Sequence, residues 1–225
     1  MISIGIFDVI GPVMIGPSSS HTAGAVQLGK FARTMLIGEP LTATIGLHGS
    51  LSSTGEGHGT HLAILAGIMG FNSDDERIPR AKEIAREHNL EYTFSSIDLG
   101  DVHPNSARIN LSNPADSVTV FGSSIGGAKI AIWKIEHYQV DLNGEYPALL
   151  LFYPDHPGVV AAVTLVLAKH QLNIARMKVS RSNRGGEALM NIELDQKPTP
   201  EILAELQAFH DIRDVRYIPN LQGEN

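Results

Sequence analysis

The order in which apolar runs alternate with turn residues between positions 148 and 218 leaves few folds open. Ala148 to Phe152 is a continuous apolar run, short enough for a buried strand. Asp155-His156-Pro157 follows, with proline where the first turn of a helix tolerates its missing N–H. Val159 to Lys169 then carries apolar residues at 159, 160, 163, 166 and 167, which is helical spacing. Asn173 to Ser180 alternates Ile174, Arg176 and Lys178 against Ala175, Met177 and Val179, and Gly185-Gly186 turns the chain into a second strand, Leu189 to Leu194. Pro200 opens another helix, with Ile202, Leu203, Leu206 and Phe209 on one face, and Val215 to Ile218 closes the unit as a strand. The order β-α-β-β-α-β is the split βαβ, or ferredoxin-like, arrangement.

The residues before it are less regular. Thr22 to Leu36 reads as a helix with Ala25, Val26, Phe31, Ala32, Met35 and Leu36 on one stripe. Thr42 to His48 reads as a strand, His61 to Met69 as a buried helix and Asp75 to His88 as an exposed one. Tyr92 to Ile97, Ser106 to Leu111, Val118 to Phe121 and Ala128 to Ile135 read as strands, so the whole is α+β with an α/β-like first part. The stretch His137 to Tyr146 is a short strand followed by the Asn143-Gly144 turn. That turn divides the chain into domains 1–146 and 147–225. The first carries a net charge of −6 and the second −1, out of −7 for the 225 residues.

That acidity argues against a nucleic-acid surface. No run of about 18 apolar residues is present for a membrane helix. The start Met1-Ile2-Ser3-Ile4-Gly5-Ile6 has no basic n-region, so the expected location is cytoplasmic. There is no cysteine, which removes disulfides, thiol nucleophiles and thiolate metal ligands. Histidine occurs ten times, and six of these fall within the first 103 residues, mostly beside Gly, Ser or Pro. Such contexts are loops, where binding and catalytic groups concentrate.

Gly16-Pro17-Ser18-Ser19-Ser20-His21-Thr22 immediately precedes the first long helix. Hydroxyls, an imidazole and the free N–H groups of a helix start suit a carboxylate or phosphate. A serine N-cap would need only one of those hydroxyls. In Gly55-Glu56-Gly57-His58-Gly59-Thr60-His61, the flanking glycines expose His58 to a ligand. His58 and His61 would share a helix face if the helix began early, but HExxH is missing, and a general base suits His58 better than a zinc ligand. His61 leads into an apolar helix and reads equally as structural. Val102-His103-Pro104-Asn105 offers an imidazole and an amide two residues apart for a polar substrate. Gly122-Ser123-Ser124-Ile125-Gly126-Gly127 lacks nucleotide-loop spacing and reads as a substrate-facing turn or an inter-strand loop.

Ile10 to Gly24, with its GPSSSHT core, together with Gly57-His58-Gly59-Thr60 and Val102-His103-Pro104-Asn105, resembles the β subunit of iron–sulfur L-serine dehydratases over nearly the whole chain. The resemblance implies an allosteric-substrate-binding-type first domain, seen also in some phosphoglycerate dehydrogenases, and an amino-acid-sensing ACT domain as the tail. It implies a separate α subunit whose cysteines hold a [4Fe–4S] cluster, which acts as a Lewis acid on the serine hydroxyl while a base removes the α-proton. Aminoacrylate then hydrolyses to pyruvate and ammonia. On the family motif, Ser18, Ser19, Ser20 and Thr22 bind substrate with His103 and Asn105. His58 and His21 are the catalytic pair, with His58 the best candidate base. The family pattern often carries Asp at the position of His61, which here cannot supply a negative charge to orient His58.

The tail, of fewer than about 80 residues, has a modest core and exposed sheet edges that self-association can cover. Gly158 leaves room for a small ligand beside Asp155 and Pro157, and Pro157-Gly158 reads equally as a plain helix entry. By resemblance to ACT domains the effector is serine, with a monovalent cation as the alternative. Two other readings use the same residues. One is a free-standing amino-acid sensor, and the other a mononuclear zinc hydrolase built on His58, His61 and His103.

Overall fold

A computed structural model describes residues 13–221. The chain divides into two units, Met1–Glu136 and His137–Asn225. In the first, strands β1 (Thr42–Leu47), β2 (Glu91–Ser96), β3 (Ser106–Ser112), β4 (Ser117–Gly126) and β5 (Lys129–Ile135) lie in the order β2-β1-β3-β4-β5. β1 and β2 are parallel, while the pairs β1–β3, β3–β4 and β4–β5 are antiparallel. A parallel pair needs a long crossover. Here it runs through three helices, α2 (Gly49–Thr54), α3 (Thr60–Ile68) and α4 (Ala81–Glu87). The N-terminal helix α1 (Gly24–Met35) lies over β3, β4 and β5. Ile45, Ile109, Val120, Ile130 and Ile132 form the sheet's side of this core, each at most 1% exposed.

α1 and α3 cross at glycines. A Cβ on Gly29 would stand 2.3 Å from the Ile64 carbonyl oxygen, and one on Gly67 2.1 Å from the Val26 carbonyl oxygen. Glycine costs a helix about 1 kcal/mol relative to alanine. Backbone-to-backbone contact is the reason both helices accept it.

Several elements differ from the sequence reading, each for a local reason. The helix expected over 75–88 is a 3₁₀ turn at Ile78–Arg80 followed by α4, because Asp75 turns the chain through bonds to the Arg77 N–H and guanidinium and Pro79 then sits at the helix start. Gly122 to Gly126 is not a loop but the second half of β4. Gly122 is small because a Cβ there would meet Ile132 at 2.5 Å and Leu28 of α1 at 2.9 Å. The turn is Gly127-Ala128, both left-handed, with φ 57° and 61°. α2 was not expected. Its sequence, GSLSST, is a poor helix former, and the Pro104 carbonyl holds it from outside by accepting the Ser50 N–H at 2.8 Å.

The second unit begins with β6 (Tyr138–Leu142) and continues as β7 (Ala148–Pro154), α5 (Val159–Lys169), β8 (Ile174–Arg181), β9 (Glu187–Leu194), α6 (Pro200–Gln207) and β10 (Asp214–Ile218). Its sheet order β10-β7-β9-β8 is antiparallel throughout. This is the βαββαβ arrangement expected, and the protein is α+β. The boundary expected between 146 and 147 lies inside this unit, on the far side of β6. One face of the sheet packs Leu149, Leu151, Met190 and Ile192 against Val163 and Leu167 of α5 and Ile202 and Leu206 of α6. Towards the other lies β6, whose Val140 carbonyl accepts from Lys178 Nζ at 3.3 Å. Among the described residues, no helix is long and apolar enough to cross a membrane.

Gly67→Ala should force α1 and α3 apart at a cost of about 2 kcal/mol, read as a lowered midpoint in urea unfolding. Gly57→Ala is the control. The nearest atom to a Cβ there is a carbonyl oxygen at 3.8 Å, so its midpoint should stay close to wild type.

Candidate functional site

One end of the first sheet gathers four chain segments. β1 leads out of the sheet into α2, and β3 enters beside it, because Leu47 pairs with Ala107. β4 leaves past Ser123, the partner of Ser106. The start of α1 arrives at the same place, since a Cβ on Gly24 would overlap Ser124 Oγ at 2.0 Å. Gly49, at φ 55°, brings α2 against the 102–105 loop, where a Cβ would stand 2.6 Å from the Pro104 carbonyl oxygen. A side chain at either glycine would push these segments apart.

The GPSSSHT segment does more than cap a helix. Ser18 is an N-cap in extended conformation, its Oγ accepting the His21 N–H at 3.2 Å. Ser19–Ala23 is one π-type turn that runs into α1. This turn directs His21 inward, where it is 9% exposed. Hydroxyls surround the imidazole: Nδ1 is 3.1 Å from Ser20 Oγ and 3.5 Å from Ser18 Oγ, and Nε2 is 3.1 Å from both Ser50 Oγ and Thr54 Oγ1. Burial lowers the His21 pKa most, a hydrogen bond to the Ser50 backbone raises it, and the neighbouring His58 lowers it further. Burial therefore favours the neutral imidazole at His21.

His58 stands beside it, with ring centroids 5.0 Å apart and the planes inclined by 40°. Its Nδ1 lies 2.9 Å from the Thr54 carbonyl oxygen. A carbonyl only accepts, so Nδ1 carries the hydrogen and Nε2 is left with a lone pair. Thr22, 2% exposed, donates to the His58 carbonyl at 3.3 Å and so braces that loop from below.

The other sequence candidates are placed differently. His103 is exposed, and its Nδ1 accepts the Asn105 N–H at 3.1 Å within its own loop. The loop itself is tied to the site through the Pro104 carbonyl and through the Asn105 carbonyl, which accepts the Ser124 N–H at 2.9 Å. Gly59, left-handed at φ 71°, is the N-cap of α3, so His58 and His61 do not share a helix face. His61 instead stacks on Phe94 at 4.3 Å and lines a cavity of about 180 Å³ with Leu47, Ser52, Ser95 and Ser96. Among the described residues, no three His, Asp or Glu side chains are grouped to hold a metal ion. Ser50 and Thr54 are the site residues that sequence reasoning missed. Two hydroxyls four residues apart on a short helix were the available signal.

In the second unit, Gly158 is the left-handed N-cap of α5, at φ 103°, and no atom lies within 4 Å of where its Cβ would be. It opens a cavity of about 340 Å³ that Pro157, Val159, Ala162, Phe209 and Asp211 also line. His156 Nε2 and Asp211 Oδ1 face each other at its edge, 3.3 Å apart. The His156 pKa is raised, first by its bond to the Pro157 carbonyl and then by Asp211. Asp155 does not line this cavity. Its carboxylate accepts the Gly185 N–H at 3.0 Å and Arg181 Nη1 at 3.1 Å, which tie down the β8–β9 turn and lower its pKa.

The second unit is therefore of the ferredoxin-like class with an open cavity at a helix start, and residues 148–211 match the ACT domain family. Residues 5–103 match the family described as "Serine dehydratase beta chain". Over 213 residues the chain is 42% identical to a Bacillus subtilis (strain 168) protein described as "Probable L-serine dehydratase, beta chain", covering 95% of this chain and 97% of that one. It is 35% identical to the "L-serine dehydratase, beta chain" of Peptoniphilus asaccharolyticus, with 94% and 96% covered. A Streptomyces coelicolor "L-serine dehydratase" is 32% identical over 143 residues, which cover 57% of this chain and 30% of that protein. This chain belongs to the serine dehydratase beta chain family.

The buried His21 carries a pH signature. Its folded pKa lies below the unfolded 6.5, so the unfolded state binds more protons below that value. Stability is present above pH 6.5 and falls as pH drops through it. Urea midpoints at pH 7.5 and 5.5 should therefore differ more for wild type than for His21→Asn.

Proposed function

We propose that this chain is the β subunit of an L-serine dehydratase that converts L-serine to pyruvate and ammonia. The observation that carries the reading is His58 Nε2, a lone pair left free by the bond from Nδ1 to the Thr54 carbonyl, on a ring 5.0 Å from the hydroxyl-bound His21. That nitrogen takes the α-proton of serine, and the imidazolium it forms is held by the same carbonyl. Ser18, half-buried at the start of α1, offers a hydroxyl donor to the substrate carboxylate, with Ser19 in the same turn, and Ser20 offers its lone pairs to the ammonium group. His21 holds those hydroxyls in place. Thr22 braces His58, and the loop of His103 and Asn105 closes the same end of the sheet. Loss of the α-proton and of the hydroxyl gives aminoacrylate, which water converts to pyruvate and ammonia.

The family is generally iron–sulfur dependent, yet this chain has no cysteine. Its own residues do not fit a thiolate-held [4Fe–4S] cluster. The cluster belongs to a separate, cysteine-bearing α subunit, and the chemistry at the departing hydroxyl belongs with it. The complex works in the cytoplasm. Anaerobic co-purification of the two chains followed by a pyruvate assay tests the division of labour, and turnover of serine by this chain alone would overturn it. In the reconstituted enzyme, His58→Ala should lower kcat on the order of 100-fold and His61→Ala far less. Near-normal turnover in His58→Ala would move the base elsewhere.

The ACT unit takes L-serine as effector in the cavity beside Gly158. The open N–H groups of α5 meet the carboxylate and Asp211 the ammonium group. The loop carbonyls make a monovalent cation the competing ligand. Edge strand β8, with Met177 39% and Val179 43% exposed, is the surface for a second copy. Calorimetry of the full chain should show L-serine binding that Asp211→Asn weakens about ten-fold or more, in line with a lost charge-assisted bond. Heats equal to dilution for both L-serine and potassium would leave this unit a dimerisation module.

A further inference from the structure

Two imidazoles stand 5.0 Å apart in the first unit, and the placement of their hydrogens decides which can receive a proton. Thr54, exposed at the end of α2, touches both. Its carbonyl oxygen has lone pairs only, so the 2.9 Å contact puts the hydrogen of His58 on Nδ1. Its hydroxyl has a single hydrogen, and that hydrogen is given to the Ser50 carbonyl at 2.9 Å, the bond a helical threonine makes one turn back. Oγ1 can then only accept from His21 Nε2, 3.1 Å away. The hydrogen of His21 is therefore on Nε2, and its Nδ1 accepts from the Ser20 hydroxyl at 3.1 Å. Ser50 Oγ, also 3.1 Å from Nε2, suits either tautomer because its hydrogen is free to turn. The Ser50 backbone carbonyl favours the same tautomer, and Thr54 adds to it a hydroxyl whose own hydrogen is already spent.

We propose that Thr54 is a positioning residue that assigns opposite tautomers to the two site histidines. It leaves His58 Nε2 open to a proton and ties both ring nitrogens of His21 to hydroxyls. The consequence for catalysis rests on the reading of His58 as the base. Thr54 touches no substrate on this account. It keeps His21 out of the proton transfer and keeps the Ser20 hydrogen pointing at His21, so that the Ser20 lone pairs and the Ser18 hydroxyl keep a fixed polarity towards the ligand. If His21 turned over to its other tautomer, Ser20 would become the acceptor of that bond and the polarity would reverse.

Long-range carbon–nitrogen correlation spectra of the full chain report the tautomer of each histidine without any turnover. Wild type should show Nδ1–H for His58 and Nε2–H for His21; Nδ1–H on His21 overturns the proposal before any variant is made. In Thr54→Val the carbonyl remains, so His58 should be unchanged, while His21, left with Ser50 alone, should gain a measurable share of the Nδ1–H form. Thr54→Ser should keep the wild-type pattern. In the reconstituted enzyme, Thr54→Val should lower kcat roughly three- to ten-fold, the effect of one lost neutral hydrogen bond, with KM within about two-fold and with recovery in Thr54→Ser. A Thr54→Val chain with wild-type circular dichroism and His21 still wholly Nε2–H overturns the proposal whatever its turnover. Near-normal turnover of His58→Ala overturns the base assignment instead and leaves the tautomer result standing.

Discussion

The close crossing of α1 and α3 at Gly29 and Gly67 is the contact on which the first unit's site depends. The serine and His21 turn is the lead-in to α1, and His58 with Gly59 is the lead-in to α3. Both helices start at the same end, because Thr22 of one lead-in donates to the His58 carbonyl of the other. The distance between the helix axes therefore sets the distance between the two imidazoles. Glycine allows each helix to rest on the other's carbonyls, 2.1 to 2.3 Å from where a Cβ would be. Larger residues would widen the axes and the site with them, since packed interiors transmit such shifts rather than absorb them.

The site built at those helix starts is made of neutral dipoles. Ser18, Ser20, Ser50 and Thr54 supply the partners of His21, and a main-chain carbonyl supplies the partner of His58. A carboxylate beside either ring would favour the imidazolium and spend the lone pair in advance. Hydroxyls and a carbonyl orient the rings without placing a charge beside them. Burial of His21 works in the same direction. The position where the family pattern often carries Asp holds His61 here, and the left-handed Gly59 turns that residue away, onto Phe94. Orientation of His58 thus comes from Thr54 and needs no charge at 61.

The ACT unit obeys a different economy. Its sheet and helices follow the order of apolar runs almost residue for residue, with α5 over Val159–Lys169 as read. Its cavity depends on one left-handed glycine at the helix start, legible from Pro157-Gly158 as a place with room. Asp155 was legible as polar and near, but its carboxylate belongs to the β8–β9 turn. Only the folded hairpin brings the Gly185 N–H within reach of it.

What the sequence determined by itself was local and periodic. The βαββαβ order, the helix after GPSSSHT, the missing cysteines and the clustering of histidines in Gly, Ser and Pro contexts all follow from neighbours along the chain. The tertiary structure decided everything that rests on contacts between distant segments. α2 forms from a segment whose only strong helix former is Leu51 because the Pro104 carbonyl holds it, and with it come Ser50 and Thr54. Gly122 reads as a turn until α1 is laid over β4, where it proves to be the space that Leu28 fills. His58, His61 and His103 look alike in sequence, yet one φ of 71° at Gly59 and one loop hydrogen bond at Asn105 send them to three different surroundings. Periodicity records which face of an element is apolar. It does not record which other element arrives there, and at this site that arrival fixes where each proton sits.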